Sequence, residues 1–192
     1  MAMKRAAVFV DKDGTLVDDI PYNVEPARIR LTRGAGEALQ TLHACGYALI
    51  VVTNQPGIEM GRFDALAMTA VRARIDALLA PHAVAVEGFY YCPHAPQITS
   101  CRCRKPAPGL IERAAGELGI DLASSWMVGD ILHDVEAGRR AGCRTVLIDC
   151  GNETEWLLTQ WRYPDVIAPD LPGAARQILE VSHPRAGRQV LQ

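Results

Sequence analysis

Ala6-Ala7-Val8-Phe9-Val10-Asp11-Lys12-Asp13-Gly14-Thr15 begins with five apolar residues and then breaks into charge. An unbroken apolar run, as opposed to an alternating one, reads as a strand buried on both faces, as in parallel sheets. A helix follows over 34–46, with Ala38, Leu39, Leu42 and Cys45 at helical spacing and Gly46 at the C-terminal cap position. Residues 47–52 repeat the buried-strand pattern and run into Thr53-Asn54-Gln55-Pro56-Gly57. The pattern predicts a helix over 63–80 stopped by Pro81, a strand over 86–91 and a loop over 92–107 rich in Cys, Pro and basic residues. It continues with a helix over 108–118, a strand over 125–128, a helix over 131–141, a strand over 144–148, a short edge strand over 165–168 and a last helix over 173–181. This alternation gives an α/β class: a Rossmann-like, doubly wound parallel sheet with helices on both faces. One domain over 1–181 is expected, with 182–192 a flexible C-terminal tail.

Composition narrows the function classes. Across 192 residues, 20 Lys+Arg stand against 22 Asp+Glu, a net charge of −2. That balance argues against nucleic acid as a partner. No apolar run nears the roughly 18 residues of a membrane span, so no membrane partner is expected. The apolar stretch behind Met1-Ala2-Met3-Lys4-Arg5 is too short for a signal peptide. A reducing, cytoplasmic setting with unpaired thiols is the expectation.

In such folds ligands bind beyond the carboxyl ends of the strands. Asp11 and Asp13 leave the first strand, Thr53 and Asn54 the second, the Cys/His loop the third and Asp130 the fourth. Carboxylates at i, i+2 on an extended strand end point the same way, and such a pair wants a cation or a shared proton. Asp130 beside Asp11 makes an all-oxygen site suited to Mg²⁺. Lys105 and Arg104 leave the long loop toward the same rim, and a divalent cation with a lysine opposite a carboxylate suits an incoming phosphate. Any one of these residues alone reads as surface polarity; the four segments together do not.

Cys92-Pro93-His94 and Cys101-Arg102-Cys103 are separated by six residues. Three thiolates and one imidazole match the Cys₃His composition of closed structural zinc sites. Zinc there would stiffen the loop that delivers Arg104 and Lys105. Cys45, Cys143 and Cys150 lie in apolar contexts and are expected in the core.

Asp11-x-Asp13-Gly14-Thr15, Thr53, Lys105 and Gly129-Asp130-x-x-x-Asp134, in that order over about residues 6–150, resemble the four motifs of the haloacid-dehalogenase-like (HAD) phosphatases. The resemblance implies that Asp11 is the nucleophile and Asp13 the general acid and base. It implies that Thr53 holds a phosphoryl oxygen and that Lys105 neutralises charge. It assigns Mg²⁺ to Asp11, the Asp13 main-chain carbonyl and Asp130, with Asp134 as support. Within that superfamily the Cys-Pro-His and Cys-x-Cys-Arg-Lys-Pro segments resemble two groups, the heptose 1,7-bisphosphate phosphatases and the histidinol-phosphate phosphatases. Residues 51–55, 88–94 and 126–130 are similar to the heptose group, and the short interval between His94 and Cys101 to the histidinol group. Ile131 departs from both, which commonly carry a basic residue there. By analogy with the heptose group, Asn54, Gln55 and Arg104 would touch substrate, and Asp19 to Tyr22 would flank it.

No inserted cap fits between Asp11 and Thr53 or between Thr53 and Lys105, so the site is expected to be open. The leading expectation is a Mg²⁺-dependent phosphatase for a small phosphorylated metabolite, with a heptose bisphosphate as the first substrate. Histidinol phosphate is the alternative substrate; a DNA-end phosphatase and a non-enzymatic zinc-stapled interaction module rank below it. A monomer is expected, since no long apolar heptad is present.

Overall fold

The sheet is built outward from β1 (Ala7–Val10) in both directions. The computed structural model describes residues 4–98 and 100–182. Beside β1 on one side lie β2 (Ala48–Asn54) and β3 (Gly88–Cys92); on the other lie β4 (Trp126–Gly129), β5 (Arg144–Ile148) and β6 (Val166–Ala168). The order is β3-β2-β1-β4-β5-β6 and every pairing is parallel. Four helices connect successive strands, α1 (Ala35–Ala44), α2 (Ala65–Leu79), α3 (Gly109–Leu118) and α4 (Leu132–Ala141), and α5 (Leu171–Ser182) follows β6.

The unbroken apolar runs are explained by two cores. Val8 and Val10 of β1, with Leu49, Val51 and Val128, face Leu39 and Leu42 of α1, Val71 and Ile75 of α2 and Ile178 of α5. The alternate residues Ala7, Phe9, Ile50, Val52 and Met127 face Leu110, Ile111 and Ala114 of α3 and Ala137 of α4. Because successive side chains of a strand point to opposite faces, a strand covered on both must be apolar at every position.

Strand order reverses direction between β1 and β4, the switch point at which such sheets bind ligands. Val10, the last residue of β1, pairs with both Val51 and Val128; β4 ends at Gly129 and β2 continues to Asn54. The Asp11 N–H then donates to Val128 O at 2.9 Å, holding Asp11 directly over the switch point.

All the expected strands and helices are present, with shifted ends. Thr53 and Asn54 do not follow β2 but close it, pairing with Tyr91 and Cys92 of β3, so Cys92 is the last residue of a strand and not the first of a loop. Helix α5 starts at Leu171, with Pro172 in its first turn, and runs to Ser182. Ser182 is therefore helical and not part of a tail, while 183–192 lie outside the described residues. Cys143 is buried as expected, but Cys45 and Cys150 are exposed, one capping the end of α1 and the other turning away after β5. Among the described residues no inserted domain interrupts the sheet, and no helix is long and apolar enough to cross a membrane.

The amino end of β1 is tied to the start of β4 by one hydroxyl. Ser125 Oγ accepts the Ala7 N–H at 2.9 Å and donates to Asp121 O at 2.6 Å, fully buried. Ser125→Ala leaves that amide unpaired, at a cost of about 1–3 kcal/mol. A melting temperature lower by several degrees, with unchanged kcat, is the expected outcome of thermal unfolding and turnover assays.

Candidate active site

Immediately after β1 the chain makes a tight turn: the N–H groups of Leu16 and Val17 donate to Lys12 O, and that of Gly14 donates to Val17 O. Gly14 has φ +78°, and a Cβ there would lie 2.2 Å from Asp130 Oδ2, so both the conformation and the close approach demand glycine. The turn presents Asp11 and Asp13 side by side. Asp13 is held at both oxygens, by the buried Lys12 ammonium at Oδ1 and by Gln55 Nε2 at Oδ2, 3.0 Å away. Burial, with the Asp11 charge adding to it, outweighs Lys12 and Gln55 and raises the Asp13 carboxyl above the ordinary range.

Lys105 reaches the same point from the loop after β3. Its ammonium, 3% exposed, donates to Asp11 Oδ1 and, at 3.0 Å, to Val52 O. It also lies 2.6 Å from Asp134 Oδ1. Burial works against the charge of Lys105, but the Asp11 and Asp134 carboxylates overcome it and hold the ammonium above the usual lysine range. The lysine backbone is fixed as firmly: Asn54 Oδ1 accepts the Lys105 N–H at 3.0 Å and Asn54 Nδ2 donates to Lys105 O at 3.1 Å.

Asp130 and Asp134 arrive from the end of β4 and the first turn of α4. Asp134 Oδ2 accepts the Ile131 N–H at 3.3 Å, closing the helix start. Gly129 makes room for it, since a Cβ at that position would lie 2.2 Å from Asp134 Oδ2. Asp130 Oδ1 accepts from Thr15 Oγ1 at 3.2 Å and Oδ2 from Asn152 Nδ2 at 2.7 Å. One carboxylate oxygen from each of Asp11, Asp130 and Asp134 lies within 4.8 Å of the others. Burial, then the charges of Asp11 and Asp134, push Asp130 up to about 7. Burial and Asp11 push Asp134 up to about 6 against the pull of Lys105.

The cysteine loop gathers as a unit. Cys92 Sγ, His94 Nδ1, Cys101 Sγ and Cys103 Sγ make six pairwise separations, all between 3.0 and 3.6 Å. Zinc bonds of about 2.3 Å to sulfur and 2.0–2.1 Å to nitrogen give a tetrahedron with edges of roughly 3.5–3.8 Å, so the donor set has the right shape, slightly contracted. The Arg104 N–H donates to Cys101 Sγ at 3.3 Å, and with the sulfur contact from Cys103 this lowers the Cys101 thiol to about 7 despite burial. The loop thus fixes the chain two residues before Lys105.

Asp11, Asp13, Asp19, Thr53, Asn54, Lys105, Asp130 and Asp134 line one cleft of about 240 Å³. Gln55 is buried beneath it, donating to both Asp13 and Thr53 Oγ1, the latter at 3.0 Å. Arg104 turns aside: one Nη donates to His94 O at 3.1 Å, and the side chain borders a separate hollow of about 410 Å³ beside His133 and Glu136. Tyr22 does not line the cleft; it stands half-exposed at φ +57°, with the Arg62 guanidinium 4.0 Å over its ring. Two residues at the site were not anticipated. Lys12 is the unassigned residue between Asp11 and Asp13 in the first motif, and it is buried, 2% exposed. Asn152 lies in the loop after β5, beyond Asp149, the residue that the strand-end rule would have picked.

Residues 102–174 match the HAD-hydrolase-like family model. The chain is 37% identical to a D-glycero-beta-D-manno-heptose-1,7-bisphosphate 7-phosphatase of Salmonella typhi, over 92% of this chain and 98% of the relative. It is 42% identical to the protein of that name from Photorhabdus laumondii, over 76% and 81%. Among solved structures, a D,D-heptose 1,7-bisphosphate phosphatase from B. bronchiseptica complexed with magnesium and phosphate matches with a TM-score of 0.77 and 28% identity, over 92% of this chain and 99% of that one. A putative HAD-like phosphatase from Mesorhizobium loti matches at 0.76 and 32%, over 93% and 88%.

The crowding of carboxylates has a measurable consequence. Unfolded aspartates titrate near pH 4. Between there and pH 7 the folded chain binds more protons than the unfolded one, so metal-free stability falls as pH rises through that window. Asp130→Asn removes one of the repelling charges. Its metal-free melting temperature at pH 8 is expected to exceed that of the parent by ~2–4 °C for each kcal/mol relieved, with the gain gone at pH 5. Melting curves at the two pH values check this.

Proposed function

The chain belongs to the HAD-like phosphatases, and from that premise we propose that it removes the 7-phosphate of D-glycero-β-D-manno-heptose 1,7-bisphosphate through a phosphoryl-enzyme formed on Asp11. The observation that carries the chemistry is the buried Lys105 ammonium shared by Asp11 and Asp134 at the rim of the switch point. The substrate rests on the relatives, which are named for heptose bisphosphate and not for histidinol phosphate or a nucleic acid.

In the first step an Asp11 carboxylate oxygen attacks phosphorus and the bond from phosphorus to the C7 oxygen breaks. Asp13, whose raised pKa favours the protonated form, gives its proton to the departing alkoxide. Water then attacks the phosphoryl group as the Asp13 carboxylate takes its proton, and Asp11 leaves as the free carboxylate. Thr53 accepts a hydrogen bond from Gln55, which leaves its own hydroxyl proton to donate to a phosphoryl oxygen. The Lys105 charge balances that of Asp11 and the incoming phosphate. Asp134 has one oxygen against Lys105 and the other on the Ile131 amide, which suits it to hold the lysine and not a ligand. Phosphoryl transfer asks chiefly for such positioning and charge compensation.

The residues fit two cations. Asp11, the Asp13 carbonyl and Asp130 would hold Mg²⁺, and the repulsion among the buried carboxylates is what such a cation relieves. When bound there it would neutralise phosphoryl charge. Cys92, His94, Cys101 and Cys103 would hold Zn²⁺ as a closed structural cross-link.

The substrate test compares phosphate release from both heptose bisphosphate anomers, histidinol phosphate and a 3′-phosphorylated oligonucleotide, with Mg²⁺ present. The β anomer is expected to give the highest kcat/KM, with ³¹P NMR showing the anomeric phosphate retained. A higher kcat/KM for histidinol phosphate would sink the substrate assignment and leave the chemistry standing. Asp11→Asn is expected to lower kcat by about 10⁴-fold or more, as loss of a covalent nucleophile does.

The zinc assignment has its own check. Elemental analysis is expected to find one zinc per chain. Cys103→Ser should lose it, lower the melting temperature and reduce kcat through a loosened Lys105. Full zinc-free activity would separate the loop from catalysis.

A further inference from the structure

Asn152 sits in the connection between β5 and β6, where no motif announces it. Its Nδ2 donates to Asp130 Oδ2 at 2.7 Å, while Thr15 holds the other oxygen. The next residue reaches past Asp130 to the start of α4: Glu153 Oε2 accepts the Leu132 N–H at 2.7 Å. Its other oxygen accepts the Glu155 N–H at 2.8 Å, folding the loop back on itself. Two consecutive residues therefore grip the segment from Asp130 to Leu132, one by a side chain and one by the backbone. The contact lies in packed space, since a Cβ on Gly14 would stand 2.5 Å from Asn152 Nδ2. Asn152 also borders the cleft itself.

Asp130 is pressed by two other carboxylates, and a carboxylate free to rotate under that repulsion would turn away from them. Hydrogen-bond donors on each oxygen oppose that rotation and hold the carboxylate where it lines the cleft. Partners that orient metal-holding side chains are worth roughly 10–100-fold in metal affinity.

We propose that Asn152, anchored by Glu153, is a positioning residue that fixes the face Asp130 turns toward the divalent cation. The proposal rests on the reading that Asp11 and Asp130 hold Mg²⁺. It makes the β5–β6 loop, which carries none of the four motifs, a part of the cation site.

The test titrates Mg²⁺ by calorimetry into the parent chain, Asn152→Ala and Glu153→Ala, each with zinc in its Cys/His site and no other divalent ion. Phosphate release is followed as a function of Mg²⁺ in parallel. The expected result for Asn152→Ala is a Kd for Mg²⁺ raised about 10–100-fold, with the half-saturating Mg²⁺ in turnover rising in step and kcat at saturation retained. Glu153→Ala should shift both in the same direction. A merely structural role would lower the melting temperature and leave the Kd where it was, which overturns the proposal. Equal or tighter Mg²⁺ binding by Asn152→Ala also overturns it, because Asn152 would then compete with the cation for Asp130. Loss of kcat at saturating Mg²⁺ with an unchanged Kd overturns it too, by moving Asn152 to the substrate. Absence of Mg²⁺ binding by the parent chain would instead remove the reading beneath it.

Discussion

The Lys105 ammonium, enclosed between Asp11 and Asp134, is the contact on which the rest of the site depends. It is paired with two buried carboxylates, and taking it away would leave them uncompensated at a cost of about 3–5 kcal/mol. Its placement is correspondingly over-determined. Asn54 clamps its backbone in both directions, Val52 O takes one of its protons, and the Cys/His cluster fixes the chain two residues upstream. A lysine has four rotatable bonds and a costly rotamer entropy, so holding it at one point requires this much scaffolding.

Topology explains why such distant residues meet. Asp11, Thr53, Lys105 and Asp130 belong to four separate strand–loop units, yet β1 lies between β2 and β4 in the parallel sheet, so the carboxyl ends of these strands open on one rim. The reversal of winding between β1 and β4 opens a gap between the connecting loops, and Asp11 and Asp130 are the residues that flank it. Among the described residues no inserted domain is present, and the walls of the cleft come from the loops that follow the strands. The loop after β3 is stiffened internally by the Cys/His cluster, and the turns after β1 and β2 are tied to each other through Asp13 and Gln55.

What the sequence disclosed follows from this geometry. The apolar runs revealed the strands because both faces are covered, and the charged residue ending each run marked the rim. Asp11, Asp13, Thr53 and Asp130 were legible as polar residues at the ends of such runs, Lys105 from its place in the long loop and the motif order, and the Cys₃His set from its spacing. The exact strand ends were not: Thr53, Asn54 and Cys92 continue the ladder because pairing between β2 and β3 persists beyond the apolar stretch. Side-chain direction was also illegible. Asn54, Gln55 and Arg104 stand near the site, but their polar groups go to Lys105, to Asp13 and Thr53, and to His94 O. Lys12 was hidden because burial of a lysine between two aspartates has no sequence signature.

The same crowding that makes the site reactive makes it a burden on the fold. Asp130 and Asp134 are pushed toward 7 and 6, so near neutrality the metal-free chain carries charge that its surroundings disfavour. A fold can sustain that only where the backbone is rigid. Here the carboxylates sit on a strand end, a strand–helix junction closed by the Asp134 and Glu153 caps, and a turn that only glycine can make. Replacing any of those fixed points would let the aspartates spread apart and relax. The gain in stability would come from the loss of the arrangement proposed to bind a cation and a phosphate together. The stiff surroundings of the cleft are therefore best understood as what keeps mutually repelling groups in place, and they account for the concentration of backbone-directed side chains around it.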